Sequence, residues 1–202
     1  MINEAKQESM NNPLPEFPTH FETARLHLRS YQPGDGSWYY AMGVKNHYHL
    51  EEYESENAAF NIASEEAAEE LVCEFAKAWA KRSYFFIGAF DKQTGEFIAQ
   101  VYVGPVDWQT PEFEIGYFAD VDHEGQGYVT EAVRATLQIL FEELHAHRVQ
   151  LRCNETNLRS IRVAERCNMT REGMLRENRR QPNGTYSNSL IYGLLRSEFQ
   201  TD

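Results

Sequence analysis

Glu124-Gly125-Gln126-Gly127-Tyr128-Val129-Thr130-Glu131-Ala132 is the stretch whose reading decides the fold. It separates a strand-like run, Pro111 to Asp120, from an apolar-periodic run, Val129 to Leu144, and so predicts a loop turning from a strand into a helix. Two glycines let the backbone come close to a ligand and aim several N–H groups one way. The helix behind them adds unpaired first-turn donors and the positive end of its dipole. Such a corner suits an anion, a phosphate above all. A dinucleotide-binding fingerprint would need a third glycine where Thr130 stands, and a P-loop would need Gly-Lys-Ser/Thr; the stretch has neither. On spacing alone, a phosphate site and a plain tight turn both stay open.

Working outward, Val129, Val133, Thr136, Leu137, Leu140, Phe141 and Leu144 recur at helical spacing, and Arg148 to Cys153 reads as the next strand. Strand, helix and strand make one crossover, which implies a parallel pair inside an otherwise antiparallel sheet. Ligands in open sheets favour the carboxyl ends of parallel strands. Upstream, the two-residue period puts Phe113, Ile115, Tyr117 and Ala119 on one face of the strand and Glu112, Glu114, Gly116 and Phe118 on the other. Glu114 is therefore an acid on a central strand, a few residues before the anion loop. Downstream, Asn157 is suited to cap a helix over Leu158 to Cys167, and Ser160 falls on its buried stripe. A serine so placed can also bond back to the carbonyl four residues earlier.

Residues 1–20, polar and broken by Pro13, Pro15 and Pro18, are expected to form a flexible arm before a single domain over 21–202. Strands are expected over Arg25 to Tyr31, Tyr84 to Phe90, Glu96 to Val106, Thr170 to Asn178 and Tyr186 to Leu195, with hairpin turns at Lys92–Gly95 and Gln181-Pro182-Asn183-Gly184. Asp35 or Ser37 can cap a helix carrying Trp38, Tyr39, Ala41 and Met42. Ser64 caps another, whose apolar stripe is Ala67 or Ala68, Leu71, Phe75, Ala78 and Trp79. His47 and His49 are two apart, off one helical face, and no third ligand accompanies them, so no metal site is expected. Glu51, Glu52, Glu54 and Glu56 read as a solvated face or as the mouth of a site for a cationic substrate.

The formal net charge of −12 argues against a nucleic-acid partner, whose phosphates attract basic surfaces. It can favour a cationic substrate such as an amine, but a soluble surface with excess carboxylates is the commoner cause of such a charge. Cys73, Cys153 and Cys167 are widely spaced and odd in number, which predicts free thiols and neither a disulfide framework nor a zinc site. No apolar run approaches the ~20 residues that span a bilayer, and the N-terminus lacks the apolar core of a signal peptide. A cytoplasmic protein with no membrane partner, monomeric or homodimeric, is the expectation.

Glu-Ile-Gly-Tyr, then Gly-x-Gly-Tyr-x-Thr-Glu-Ala, His-Arg-Val, Asn-x-x-Asn-x-x-Ser and Glu-Gly follow one another in this order. The series resembles the GCN5-related N-acetyltransferases (GNAT), and within them the RimJ/RimL-like branch that acetylates ribosomal-protein N-termini. The resemblance covers about Thr23 to Phe199. It implies an α/β (α+β) fold with a mixed, mostly antiparallel sheet, one central parallel pair, and helices on both faces. It also implies acetyl-CoA as cosubstrate, with no metal. The backbone of Tyr117, Phe118 and Ala119 would pair with the pantetheine arm; Gly125, Gln126, Gly127, Tyr128, Val129 and Thr130 would hold the diphosphate. Asn157 would contact the coenzyme arm, Ser160 would sit near the thioester sulfur, and Glu114 would occupy a general-base position. Tyr128 could cover the coenzyme or pack in the core. The pattern departs from the family at Glu124, usually Gln or Arg, and at Val129, usually smaller. An acid some members carry in the penultimate strand aligns with Arg179, and Glu177 lies two residues earlier, on the same face by alternation. The implied activity is transfer of an acetyl group to a primary amine by direct attack, with a protein or peptide N-terminus as acceptor. A small-molecule amine, or a non-catalytic coenzyme-binding module, are the alternatives.

Overall fold

The crossover expected around the glycine loop lies at the centre of one sheet. The computed structural model of the chain describes residues 15–54, 57–181 and 184–200. The expectations resting on Pro13, Glu56, Pro182 and Asn183 lie outside them. The strands are β1 (His20–Glu22), β2 (Leu26–Ser30), β3 (Phe85–Asp91), β4 (Phe97–Asp107), β5 (Glu112–Ala119), β6 (Arg148–Asn154), β7 (Thr170–Arg180) and β8 (Tyr186–Leu195). They lie in the order β1-β2-β3-β4-β5-β6-β8-β7. Neighbours are antiparallel except β5 and β6, the one parallel pair among the described residues.

The helices are α1 (Gly36–Lys45), α2 (His47–Tyr53), α3 (Glu65–Ala80), α4 (Tyr128–Glu142) and α5 (Leu158–Arg166), with a single 3-10 turn at Val121–His123. The α4 helix buries Ala132, Val133, Leu137, Leu140 and Phe141 against Phe113, Ile115, Val149 and Leu151 of the parallel pair. Each large apolar side chain so buried is worth about 1.5–3 kcal/mol. Thr136, on the same buried stripe, satisfies its hydroxyl on the Ala132 carbonyl at 2.9 Å. The opposite face of the sheet, which carries Phe118, is covered by Tyr39 and Met42 of α1, Leu50 of α2, and Ala68, Val72 and Phe75 of α3. Helices thus cover both faces, as the resemblance implied.

Some local readings shift. Ser64 caps α3 through the Ala67 amide at 3.2 Å, but Val72 takes the buried place given to Leu71. Asp35 stands at the N-cap of α1 without bonding its amides. Its carboxylate is drawn instead to Arg29 (2.6 and 2.9 Å) and to the Trp38 indole (2.9 Å), because a charge-assisted pair outcompetes a neutral cap. From the stretch expected as an arm, Phe17 is buried against Trp79 and Phe85. The alternation placing Glu177 with Arg179 is broken by a bulge: the β7–β8 register shifts between Leu175 and Arg179, and Glu177 takes φ 50°.

One buried polar node ties α1 and α2 to the end of β5. Asn46, fully buried between the two helices, donates to Met42 O (2.9 Å) and Asp120 Oδ2 (3.0 Å), and its Oδ1 accepts from the Val121 amide (2.9 Å). Asp120 also accepts from Lys45 Nζ (2.7 Å) and from the Asp122 amide (3.1 Å). Burial pushes the Asp120 carboxyl up, yet the bonds from Lys45, Asn46 and the Asp122 amide outweigh it and hold it below the usual aspartate range. A depressed folded-state pKa adds stability that is complete above the unfolded-state value and lost as pH falls through the folded-state value. Asp120→Ala, which removes one acceptor from Lys45 and from Asn46 while Lys45 keeps Asp122 and Asn46 keeps the Met42 carbonyl, is expected to cost about 1–3 kcal/mol in urea unfolding at pH 7. Its deficit against the parent should shrink between pH 4 and pH 2; an equal deficit at both ends would show that the carboxylate's charge is not what matters.

Candidate functional site

The parallel pair is joined only at its start. Its register runs from Glu112 opposite Arg148 to Ile115 opposite Leu151 and ends there. Beyond that point β5 follows β4 as far as Ala119, and β6 follows β8 as far as Asn154. Gly116 to Ala119 therefore have no ladder partner on the β6 side. Unpaired backbone groups at a sheet edge want a partner, and an extended chain with its own amides can supply one.

The glycine loop closes one end of this gap. Gly125 and Gly127 take φ 74° and 80°, the left-handed region that a side chain disfavours. Gly127 opens α4 with no side-chain cap, so the first-turn amides of Tyr128, Val129 and Thr130 have no intrahelical acceptor. Arg25 braces the loop from behind: Nη1 donates to Gln126 O at 3.1 Å, Nε to Glu131 Oε2 at 2.6 Å, and the guanidinium lies 4.1 Å from the Tyr128 ring centroid. Tyr128 Oη donates to Asp91 at 3.3 Å, which packs its ring on the strand side of the loop. Glu124, the departure from the family pattern, is turned toward the helices. Its Oε1 accepts from Arg159 Nη1 of α5 at 2.7 Å and lies 3.4 Å from His49 Nε2 of α2.

Two cavities meet at the open end of the pair. The first, about 260 Å³, is walled by the loop, α2 and α5, and is lined by Tyr117, Phe118, Ala119, Gly125, Gly127, Tyr128, Val129, Thr130, Asn157 and Ser160. Of the residues singled out from sequence, Gln126 is outside it; its carbonyl faces Arg25. Glu114 lines the second cavity, about 450 Å³, which shares Glu54, Tyr117 and Ser160 with the first. A larger hollow, about 980 Å³ around Trp38, Phe90 and Phe97, is lined by none of the candidate residues, so size alone does not select the site.

At the junction Ser160 Oγ donates to Tyr117 Oη at 3.1 Å, and Tyr117 Oη donates to the Ser160 carbonyl at 3.1 Å. The tertiary bond wins over the back-bond within the helix. Burial pushes the Tyr117 phenol far up, so it stays protonated at any ordinary pH, and burial likewise raises the Cys153 thiol beside it. Asn157 caps α5 by accepting from the Ser160 amide at 3.0 Å, which fixes the serine's place over the gap. Glu114 Oε2 accepts from Gln150 Nε2 at 3.1 Å and lies 3.8 Å from Arg152 Nε. Burial and the Glu114 charge together raise the Tyr102 phenol next to it. Sequence reasoning missed His49 and Tyr53 as part of the wall, because α2 has no clear apolar period, whereas Glu54, read as a solvated face or the mouth of a site, lines both cavities. It also missed Arg159, Arg162 and Arg166, whose spacing along α5 could have been read as one face. Chemically, the arrangement offers an edge for an amide-bearing arm, amides for an anion, two hydroxyls at the tip, and a polar chamber with carboxylates beyond it.

A family model described as an acetyltransferase (GNAT) domain matches residues 25–170. The "Probable N-acetyltransferase YjcK" of Bacillus subtilis (strain 168) is 38% identical over 81 residues, 40% of this chain and 44% of that protein. The chain spans about half the length of the curated relatives it matches. Among solved structures, the ribosomal-protein-S5-alanine acetyltransferase from Vibrio fischeri aligns with a TM-score of 0.80 at 18% identity, covering 91% of this chain and 100% of that one. RimL, a ribosomal L7/L12 alpha-N-protein acetyltransferase in complex with coenzyme A, aligns with a TM-score of 0.78 at 19% identity, covering 88% and 96%. At such identities the likeness is one of fold.

Proposed function

Because the chain belongs to the GNAT acetyltransferase domain family, we propose that it moves an acetyl group from acetyl-CoA to a primary amine, the N-terminus of a protein or peptide. The observation that carries this reading is the junction of the two cavities at Tyr117 and Ser160. A groove with an anion-suited loop at one end and a polar chamber of about 450 Å³ at the other is what a ternary transfer complex requires. The residues present fit the coenzyme: the free β5 edge suits the amides of its arm, and the amides of Tyr128 to Thr130 suit its diphosphate. RimL, named with coenzyme A bound, and the S5-alanine acetyltransferase support a polypeptide acceptor by shared fold. Three free thiols agree with action in the reducing cytoplasm.

Acetyl-CoA supplies the activated acyl group, and the chain's own residues manage protons and position. The attacking amine must be neutral, and the Glu114 carboxylate, lining the acceptor chamber, takes its proton directly or through a water. Ser160 Oγ, held at its place by the Asn157 cap and by Tyr117, would offer its hydroxyl to the departing sulfur once its hydrogen turns from Tyr117 Oη. Glu54, at the junction, adds a second carboxylate that favours a cationic acceptor.

The reading is tested by following thiol release from acetyl-CoA with a panel of peptide N-termini and small amines. Release with peptides supports it, release only with small amines transfers the activity to another acceptor class, and tight coenzyme binding without release for any amine makes the chain a binding module. Gly127→Val, which forces a β-branched residue into the left-handed region at about 1–2 kcal/mol and tilts the loop amides, is expected to weaken coenzyme binding about tenfold or more by calorimetry. Glu114→Gln is expected to lower kcat at pH 7 by about 10²-fold with coenzyme affinity little changed. A pH–rate profile identical to the parent's would place the base elsewhere. Ser160→Ala should lower kcat about tenfold or more while leaving the unfolding midpoint near the parent's.

A further inference from the structure

The α5 helix turns Arg159, Arg162 and Arg166 to the coenzyme groove, at a spacing of three and four residues along one stripe. Carboxylates outnumber cations in this chain, whose net charge is −12. Arg25, Arg29, Lys45 and Arg148 are each tied to a carboxylate at 2.6–2.7 Å. Among the described residues the side chains of Arg162 and Arg166 have no carboxylate partner, and Arg159 spends one nitrogen on Glu124. Their place is fixed relative to the phosphate loop: Arg134 Nη2 of α4 donates to the Arg166 carbonyl at 2.7 Å, and Cys167 Sγ lies 3.9 Å from the Thr130 carbonyl. The far end of α5 is thus docked on the first turn of α4. Positive charge beyond what one diphosphate needs gathers where the loop amides already serve that diphosphate.

Coenzyme A carries a second anionic group, the phosphate monoester on its ribose, with about −1.5 to −2 charges at neutral pH and three strong acceptor oxygens. Guanidinium groups match that geometry better than backbone amides do. Resting on the acetyl-CoA reading above, we propose that Arg162 and Arg166 bind the ribose 3′-phosphate and make the site selective for coenzyme A over 3′-dephospho-coenzyme A. Arg159, held against Glu124, closes the same wall and offsets the one carboxylate that the loop brings toward the ligand. Selectivity of this kind would be electrostatic, carried by partly exposed groups, and therefore weakened by salt.

The test is calorimetric titration of coenzyme A and of 3′-dephospho-coenzyme A into the parent and into Arg162→Gln/Arg166→Gln. These exposed side chains leave the core untouched, so thermal unfolding should be unchanged. The parent is expected to prefer coenzyme A by about tenfold or more at low salt, with the preference shrinking at 0.5 M NaCl. The variant should lose that preference while binding the dephospho form as the parent does. Equal affinity of the parent for both forms, or a preference that survives in the variant, overturns the arginine assignment and leaves the transferase reading standing. A parent that binds neither form removes both.

Discussion

What the rest of the molecule depends on is a pairing that stops. β5 and β6 share a ladder for four residues and then part, because each strand keeps to its outer neighbour as the sheet twists. Ending a ladder in the middle of a sheet exposes backbone donors and acceptors to no protein partner, a cost that folds usually avoid. Here the cost is contained. The α4 crossover buries the apolar face beneath the joined part, and α5 is placed over the gap by the Asn157 cap and the Ser160–Tyr117 bonds. The Asp120–Asn46 node then fixes the chain between β5 and the glycine loop to the opposite layer of helices. The gap is thus bounded by α4 beneath, by α5 above and by the chain leading into the glycine loop.

For an acidic chain to bind an anion at this loop, local charges have to be arranged against its overall field. The loop begins with a carboxylate, which would repel a phosphate if left alone, but Arg159 and His49 draw it sideways. Behind the loop, Glu131 is held by Arg25; burial would raise its carboxyl, and the bonds from Thr23 and from Arg25 hold it below the usual range. Glu124 and Glu131 are thus each matched with a cation. The amides and the helix dipole would then face an anion with these two charges offset, which matters within the ~10 Å over which such fields survive in salt.

How much of this was legible in the sequence follows from which forces act locally. The strand–loop–helix–strand unit was readable because its period changes from two to 3.6 at the two glycines, and the crossover rule then required a parallel pair. Asn157 and Ser160 were readable for the same reason, since a cap and a stripe are set within one turn of helix. The α2 helix was not: His47 to Tyr53 has one buried residue, Leu50, and is formed by its contacts with α1 and the Asp120 node. The bulge at Glu177 was hidden too, because alternation says nothing of where a register slips. Tyr117 was read for its backbone alone. Its bond to Ser160 spans 43 residues, and no local pattern announces it.

That bond bears on what the site can offer a departing sulfur. The hydroxyl chain runs from Ser160 Oγ to Tyr117 Oη and on to the Ser160 carbonyl, so both protons are already engaged within the fold. Burial keeps the phenol protonated, and a serine hydroxyl is a weak acid anywhere, so neither group gives up a proton readily. On the transferase reading their contribution would be a hydrogen bond to the sulfur more than a delivered proton. For Ser160 to meet charge developing there, its hydrogen has to turn away from Tyr117 Oη, a rotation about one side-chain bond that leaves the oxygen where the fold holds it. The Asn157 cap belongs to the same arrangement: by accepting from the Ser160 amide it sets the height of the serine over the gap between the strands.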